Sequence, residues 1–239
     1  MSFLEVENIS KQFGTAEVLS NVSFTLNEGE SLAIIGASGS GKTTLLRCLN
    51  FLEQPDSGRI ILRGNVLYDA QEHEKYDDRS IREKRLHFGF VFQAFNLFPQ
   101  YTAFQNIVLA RELAAKKLPG YRQDKKAIIE KIHSEGMDIL EQIGLASKRD
   151  LYPYQLSGGQ QQRVAIARAL VSKPRIVIAD EPTANLDSDN GEKVLGLMKN
   201  INKEEKTTFI FSTHDPEIWQ MANHIVFLHD GSVRSEQRH

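Results

Sequence analysis

The chain has 239 residues, 41% hydrophobic and 25% charged, which suits one large α/β domain or a core with a subdomain. A formal net charge of -2 leaves no general basic field for gripping nucleic acid, and the longest apolar runs fall far short of the ~20 residues that span a bilayer. The single cysteine, Cys48, excludes an intramolecular disulfide framework and a cysteine-cluster zinc site; its neighbours read as a buried helical thiol in a reducing, cytoplasmic setting.

Met1–Glu5 has neither a basic n-region nor a long apolar h-region, so no signal peptide is expected. Phe3–Ile9 reads as the first strand, and the apolar run Ser31–Ile35 as a buried one. That run enters Gly36-Ala37-Ser38-Gly39-Ser40-Gly41-Lys42-Thr43, and residues 42–52 read as a helix. Strand, glycine-rich loop and helix in this order form a phosphate-binding loop. Glycines let backbone N–H groups curl around phosphate oxygens, and the helix N-terminus adds positive potential. Residues 36–44, including Thr44, are the expected nucleotide contacts. Lys42 can reach the β- and γ-phosphates of a nucleotide, and the Thr43 hydroxyl can hold Mg²⁺.

Pro55–Gly58 is a turn before a strand at Arg59–Leu62. Residues 65–85, with Asp69, Glu72, Glu74, Asp77 and Asp78, read as an exposed polar loop. The strand His87–Phe92 ends on Gln93, whose amide could contact Mg²⁺ and a water. Ala94–Gln100 is apolar and irregular, either a receptor for a membrane-subunit helix or a loop packed on the core. From about 101 to 155 no strand stands out and the pattern is mostly helical, including 125–143.

Leu156-Ser157-Gly158-Gly159-Gln160 precedes a helix over 159–172. Ser157 is a natural N-cap, and the two glycines expose N–H groups at the positive helix end, a second anion site. Arg175–Ala179 is a strand ending in Asp180 and Glu181. A carboxylate at the C-terminal edge of a parallel strand sits where open α/β sheets bind ligands. Asp180 suits Mg²⁺, and Glu181 can orient or deprotonate the attacking water. After a helix at 190–202 and a strand at Thr207–Ser212 comes His214, which could hydrogen-bond a γ-phosphate and position the water. The last strand is expected at His224–Leu228, with no regulatory domain after it.

The alternation of strands and helices predicts an α/β fold with a mainly parallel sheet; the expected architecture is a P-loop NTPase core with an inserted helical subdomain and an antiparallel β portion near the N-terminus. The expected division is residues 1–93 and 159–239 for the core and 94–158 for the subdomain, within a single ATPase domain. A GTPase would need a guanine-reading loop, and Asn202-Lys203-Glu204-Glu205 lacks the required aspartate. A small-molecule kinase would not need Leu156–Gln160 or Glu181.

The phosphate loop, Gln93, Leu156–Gln160, Ile176–Glu181, Ala184-Asn185-Leu186-Asp187 and His214, in this order, resemble the ATP-binding subunit of an ABC transporter over essentially the whole chain. The resemblance implies a homodimer that sandwiches two ATP molecules. Ser157, Gly158, Gly159 and Gln160 of one copy would face the phosphate loop of the other, with Asp187 at the interface. It also implies that Phe13 stacks on adenine, that transmembrane permease subunits dock at the cytoplasmic face of the membrane, and that nucleic acid is not a partner. Leu46–Asn50, Phe92–Pro99 and Tyr152–Leu156 are similar to importers of polar amino acids, which work with an extracytoplasmic substrate-binding protein. Those importers usually have serine-alanine at Ala184-Asn185 and glutamate-methionine at Asp215-Pro216. Ala184–Asp187 and Thr213–Glu217 look more like lipoprotein-release or peptide-export ATPases, so import of a polar amino acid is the favoured class and those types are the alternative.

Overall fold

The computed structural model describes residues 2–213, 219 and 222–238. Strands β1 (Leu4–Phe13) and β2 (Ala16–Leu26) form a hairpin, followed by β3 (Ser31–Ile35) and helix α1 (Lys42–Leu49). Then come β4 (Ser57–Leu62), β5 (Asn65–Asp69), a 3₁₀ turn at Ala70–Lys75, α2 (Asp78–Arg85) and β6 (Phe88–Val91). Helices α3 (Ala103–Ala115), α4 (Tyr121–Gln142) and α5 (Gly158–Leu170) lead to β7 (Ile176–Asp180). The chain finishes through α6 (Ser188–Glu205), β8 (Thr208–Thr213), β9 (His224–His229) and β10 (Ser232–Arg238).

One sheet is antiparallel, in the order β2-β1-β4-β5. The other runs β10-β9-β3-β8-β7-β6, parallel except for the edge pair of β9 and β10. Side chains alternate between the faces of a strand, and the second sheet uses both. Leu32, Ile34, Ile176, Ile178, Ile210 and Val226 pack with α1 and the antiparallel sheet. Val177, Ala179, Phe209 and Phe211 turn the other way, onto Ile166 and Leu170 of α5 and Val194 and Met198 of α6. A third apolar cluster joins α3, α4 and the far side of α5 through Ile107, Val108, Leu140, Val164 and Ala167. Helix α5 is therefore shared between the sheet and the helical region.

Residues 65–85 do not form the expected exposed loop. Leu67 and Tyr68 are buried in β5, and Ile81 in α2. The Tyr68 hydroxyl donates to the Pro55 carbonyl at 3.1 Å, and its ring stacks on Tyr76 at 4.9 Å. Asp77 is an N-cap for α2, accepting from Ser80 N–H at 2.8 Å. Glu72, Asp77 and Asp78, among the acidic residues that suggest a loop, are exposed positions around a short apolar stripe. Strand β1 also continues past Ile9 to Phe13, because left-handed Asn8 and Asn21 (φ 51° and 50°) absorb register shifts without ending the pairing.

The loop after β6 is fastened by Asn106, fully buried in α3. Its side chain accepts from Phe98 N–H at 2.8 Å and donates to the carbonyls of Phe98, Tyr101 and Thr102 at 3.0–3.1 Å. Asn106→Ala strands several of these groups away from water and should cost about 3 kcal/mol. Urea denaturation checks this; a loss below about 1 kcal/mol would show that the loop refastens without it.

Candidate nucleotide site

Strand β3 delivers the chain to Gly36 at the carboxyl edge of the parallel sheet. A Cβ on Gly36 would collide with the Leu228 carbonyl and the Ser40 hydroxyl, so the turn closes only around glycine. Gly41, at φ 100°, precedes α1, and a Cβ there would lie 2.8 Å from the Val18 carbonyl. The back of the loop is braced by the turn between β9 and β10: Gly231 N–H donates to the Ser40 carbonyl at 3.1 Å, and Ser20 N–H to the Gly231 carbonyl at 2.9 Å. Ala37, Ser38 and Gly39 remain exposed on the outer side, and Thr44 is half-buried in the first turn of α1.

Lys42 is only 7% exposed, and its Nζ donates to the carbonyls of Gly36 at 2.8 Å and Ala37 at 3.0 Å. The ammonium thus lies against the loop. The Ser40 hydroxyl is buried and has no hydrogen-bond partner among the described residues. An orphaned hydroxyl, a glycine-only cradle, a lysine and a helix N-terminus together fit a polyphosphate.

Two strands away, Asp180 ends β7 and is buried. It accepts from Thr43 Oγ1 at 3.1 Å and from Ser212 Oγ at 2.5 Å. Thr43 and Asp180 therefore offer two converging oxygens, the donor type for a hard cation that also keeps water and phosphate ligands. Among the described residues no cluster of three or more His, Cys, Asp or Glu side chains could hold a metal by itself.

Glu181 has φ 43°, a left-handed conformation uncommon outside glycine. Its N–H donates to the Ser212 carbonyl at 3.1 Å and to Ser212 Oγ at 3.0 Å, which fixes the turn. Gln93 Nε2 donates to Glu181 Oε2 at 3.3 Å. Thr43 is thus tied to Asp180, and Gln93 to Glu181, at the carboxyl edge of the parallel sheet, while Lys42 lies on the carbonyls of its own loop. Ser212 was not foreseen. A hydroxyl ending a strand is too common a signal, and only the pairing of Ser212 with Asp180 gives it a place. His214 lies outside the described residues.

The second glycine string forms the start of α5. Ser157 Oγ accepts from Gln160 N–H at 3.4 Å, and Gln160 Oε1 accepts from Ser157 N–H at 3.0 Å, a reciprocal cap. A Cβ on Gly159 would come within 2.6 Å of Asn190, so α5 and α6 approach closely there. Gly158 is looser, with Phe95 and Leu186 at ordinary contact distance from such a Cβ. Asp187 caps α6, and the Asn190 backbone N–H and side-chain amide hold its carboxyl below the usual carboxylate range. Among the described residues no hydrogen bond joins Ser157–Gln160 to the phosphate loop. Phe13, at the end of β1, is 47% exposed, with Lys11 Nζ 5.4 Å from its ring centre. Cys48 is buried, and desolvation pushes its thiol up to about 12, consistent with an inert packing residue.

No helix among the described residues is long and apolar enough to cross a membrane. The family model for the ABC transporter matches residues 19–184. A probable amino-acid ABC transporter ATP-binding protein of Haemophilus influenzae is 41% identical over 236 residues, covering 98% of this chain and 86% of that one. The L-cystine transport system ATP-binding protein TcyN of Escherichia coli is 39% identical over 234 residues, covering 98% and 89%. Among solved structures, the dimer of an ATP-binding cassette in a post-hydrolysis state, bound to ADP and Pi, superposes with a TM-score of 0.81 at 34% identity, covering 98% of each chain. With a P-loop α/β core and matches of this extent, the chain belongs to the ABC transporter family, as an ATP-hydrolysing, ATP-binding subunit.

Proposed function

We propose that the chain powers import of a polar amino acid. The observation that supports an ATP motor is the bond between Thr43, beside Lys42 in the phosphate loop, and Asp180, which with Glu181 ends a strand two places away in the same sheet. In this reading residues 36–44 bind the phosphates, with Lys42 on the β- and γ-groups, and Phe13 stacks on adenine. Thr43, Gln93 and Asp180 hold Mg²⁺, which when bound neutralises phosphate charge. Glu181 takes a proton from the attacking water, and His214 holds the γ-phosphate. His214→Ala is accordingly nearly inactive in this reading.

Two copies close head to tail, so that Ser157, Gly158, Gly159 and Gln160 of one cap the γ-phosphate on the other, with Asp187 between the sites. ATP favours the closed pair more than ADP does, and that difference does the mechanical work. Residues 94–158 act as a helical subdomain that meets transmembrane permease subunits at the cytoplasmic membrane face, and an extracytoplasmic binding protein delivers the cargo. The named amino-acid and cystine relatives favour this cargo class. The Ala184-Asn185 departure keeps a second reading, release of lipoprotein or export of peptide.

The test is ATP hydrolysis by the chain purified with its membrane partner and binding protein, across a panel of amino acids. Stimulation by one polar amino acid supports import. An active complex that responds only to lipoprotein or peptide overturns it.

A further inference from the structure

Gln93 is held by more than the strand before it. The loop that leaves β6 is fastened at three places. Asn106 grips residues 98–102, as described above. Arg168, in α5, donates to the carbonyls of Phe95 at 3.0 Å and Asn96 at 2.6 Å. Both of those residues are left-handed, at φ 51° and 50°. The third fastening is Asn185, whose Nδ2 donates to the Gln93 carbonyl at 2.8 Å.

The first two fastenings act beyond Gln93, on residues that can be placed without fixing its own peptide. Asn185 acts on Gln93 itself. It also belongs to the same tight turn as Glu181: Ala184 N–H donates to the Glu181 carbonyl at 3.2 Å, and Leu186 N–H to that of Thr183 at 3.0 Å. Gln93 is therefore tied to one turn twice, by its carbonyl to Asn185 and by its side-chain amide to Glu181 at 3.3 Å. Two ties from one rigid turn fix both the position of the Gln93 backbone and the direction of its amide. An alanine at 185 offers no donor and would leave only the side-chain tie.

We propose that Asn185 is a positioning residue, which acts through Gln93 to keep the Gln93 amide in register with the Glu181 carboxylate during ATP hydrolysis. The proposal rests on the assignment of Gln93 and Glu181 to the catalytic site. It gives a role to the residue at which this chain departs from the amino-acid importers.

The experiment is a double-mutant cycle on the full chain, with Asn185→Ala, Gln93→Ala and the pair, and with Glu181→Gln measured in parallel. Asn185→Ala should lower kcat for ATP about three- to tenfold. The KM for ATP should stay within about twofold and the thermal midpoint within about 2 °C. In the Gln93→Ala background the same substitution should cost nothing further, because its route is already gone. The proposal is overturned by an unchanged kcat, by losses that multiply independently, or by a loss explained by a lower melting point. Normal turnover by Glu181→Gln would instead overturn the site assignment, and this role with it.

Discussion

Glu181→Gln should bind ATP within about threefold of the parent affinity while hydrolysis falls about 10²–10⁴-fold. The substitution keeps the side chain's size and can preserve the contact with Gln93. It also leaves the backbone untouched, so the two bonds from its N–H to Ser212 still define the left-handed turn. What disappears is a carboxylate able to accept a proton. Binding and chemistry should therefore separate, and with ATP present the variant should accumulate as a dimer. Calorimetric titration, single-turnover phosphate release and sedimentation measure the three quantities. Hydrolysis near the parent rate would remove Glu181 as the base.

Lys42→Ala should act on the other half of the cycle, weakening ATP about 10- to 100-fold, the worth of one good charge-assisted hydrogen bond. The lysine is nearly buried and its described partners are two neutral carbonyls, those of Gly36 and Ala37. A buried ammonium whose described hydrogen bonds go to neutral carbonyls favours an incoming anion. Because those carbonyls belong to an exposed loop, water can replace the lost donor in the variant. The folded chain should thus survive the change better than nucleotide binding does. Equal affinity for ATP in parent and variant would place the phosphates elsewhere.

How much of this was legible beforehand differs by the range of the interactions. Gly36–Thr43 could be read because the demand for glycine and lysine there is local to one turn. Asp180 and Glu181 could be read because a buried strand announced where its end would fall. Strand β2 is hidden because left-handed Asn21 breaks the two-residue period of an otherwise apolar pattern, Leu19, Val22, Phe24 and Leu26. Strand β5 and helix α2 were hidden by acidic composition around Leu67, Tyr68 and Ile81. Ser212 and Asn185 acquire their roles from partners in other segments, Asp180 and Gln93, and no local pattern encodes such pairings. The departure at Asn185 was visible, but its meaning required the fold.

The strand order also governs when the site can come into existence. Strand β3 emerges early in synthesis, yet its two neighbours in the sheet, β8 and β9, begin at Thr208 and His224. The carbonyl that closes against Gly36 belongs to Leu228, and the brace on Ser40 to Gly231. A nascent chain therefore carries its phosphate-loop residues through the synthesis of well over a hundred further residues without the strands that shape them. Contacts of such long sequence separation form late. A chain stalled before residue 208 can build the β1–β2 hairpin but not the sheet that flanks β3. Quality control by nucleotide binding would consequently recognise only chains that extend at least through Gly231.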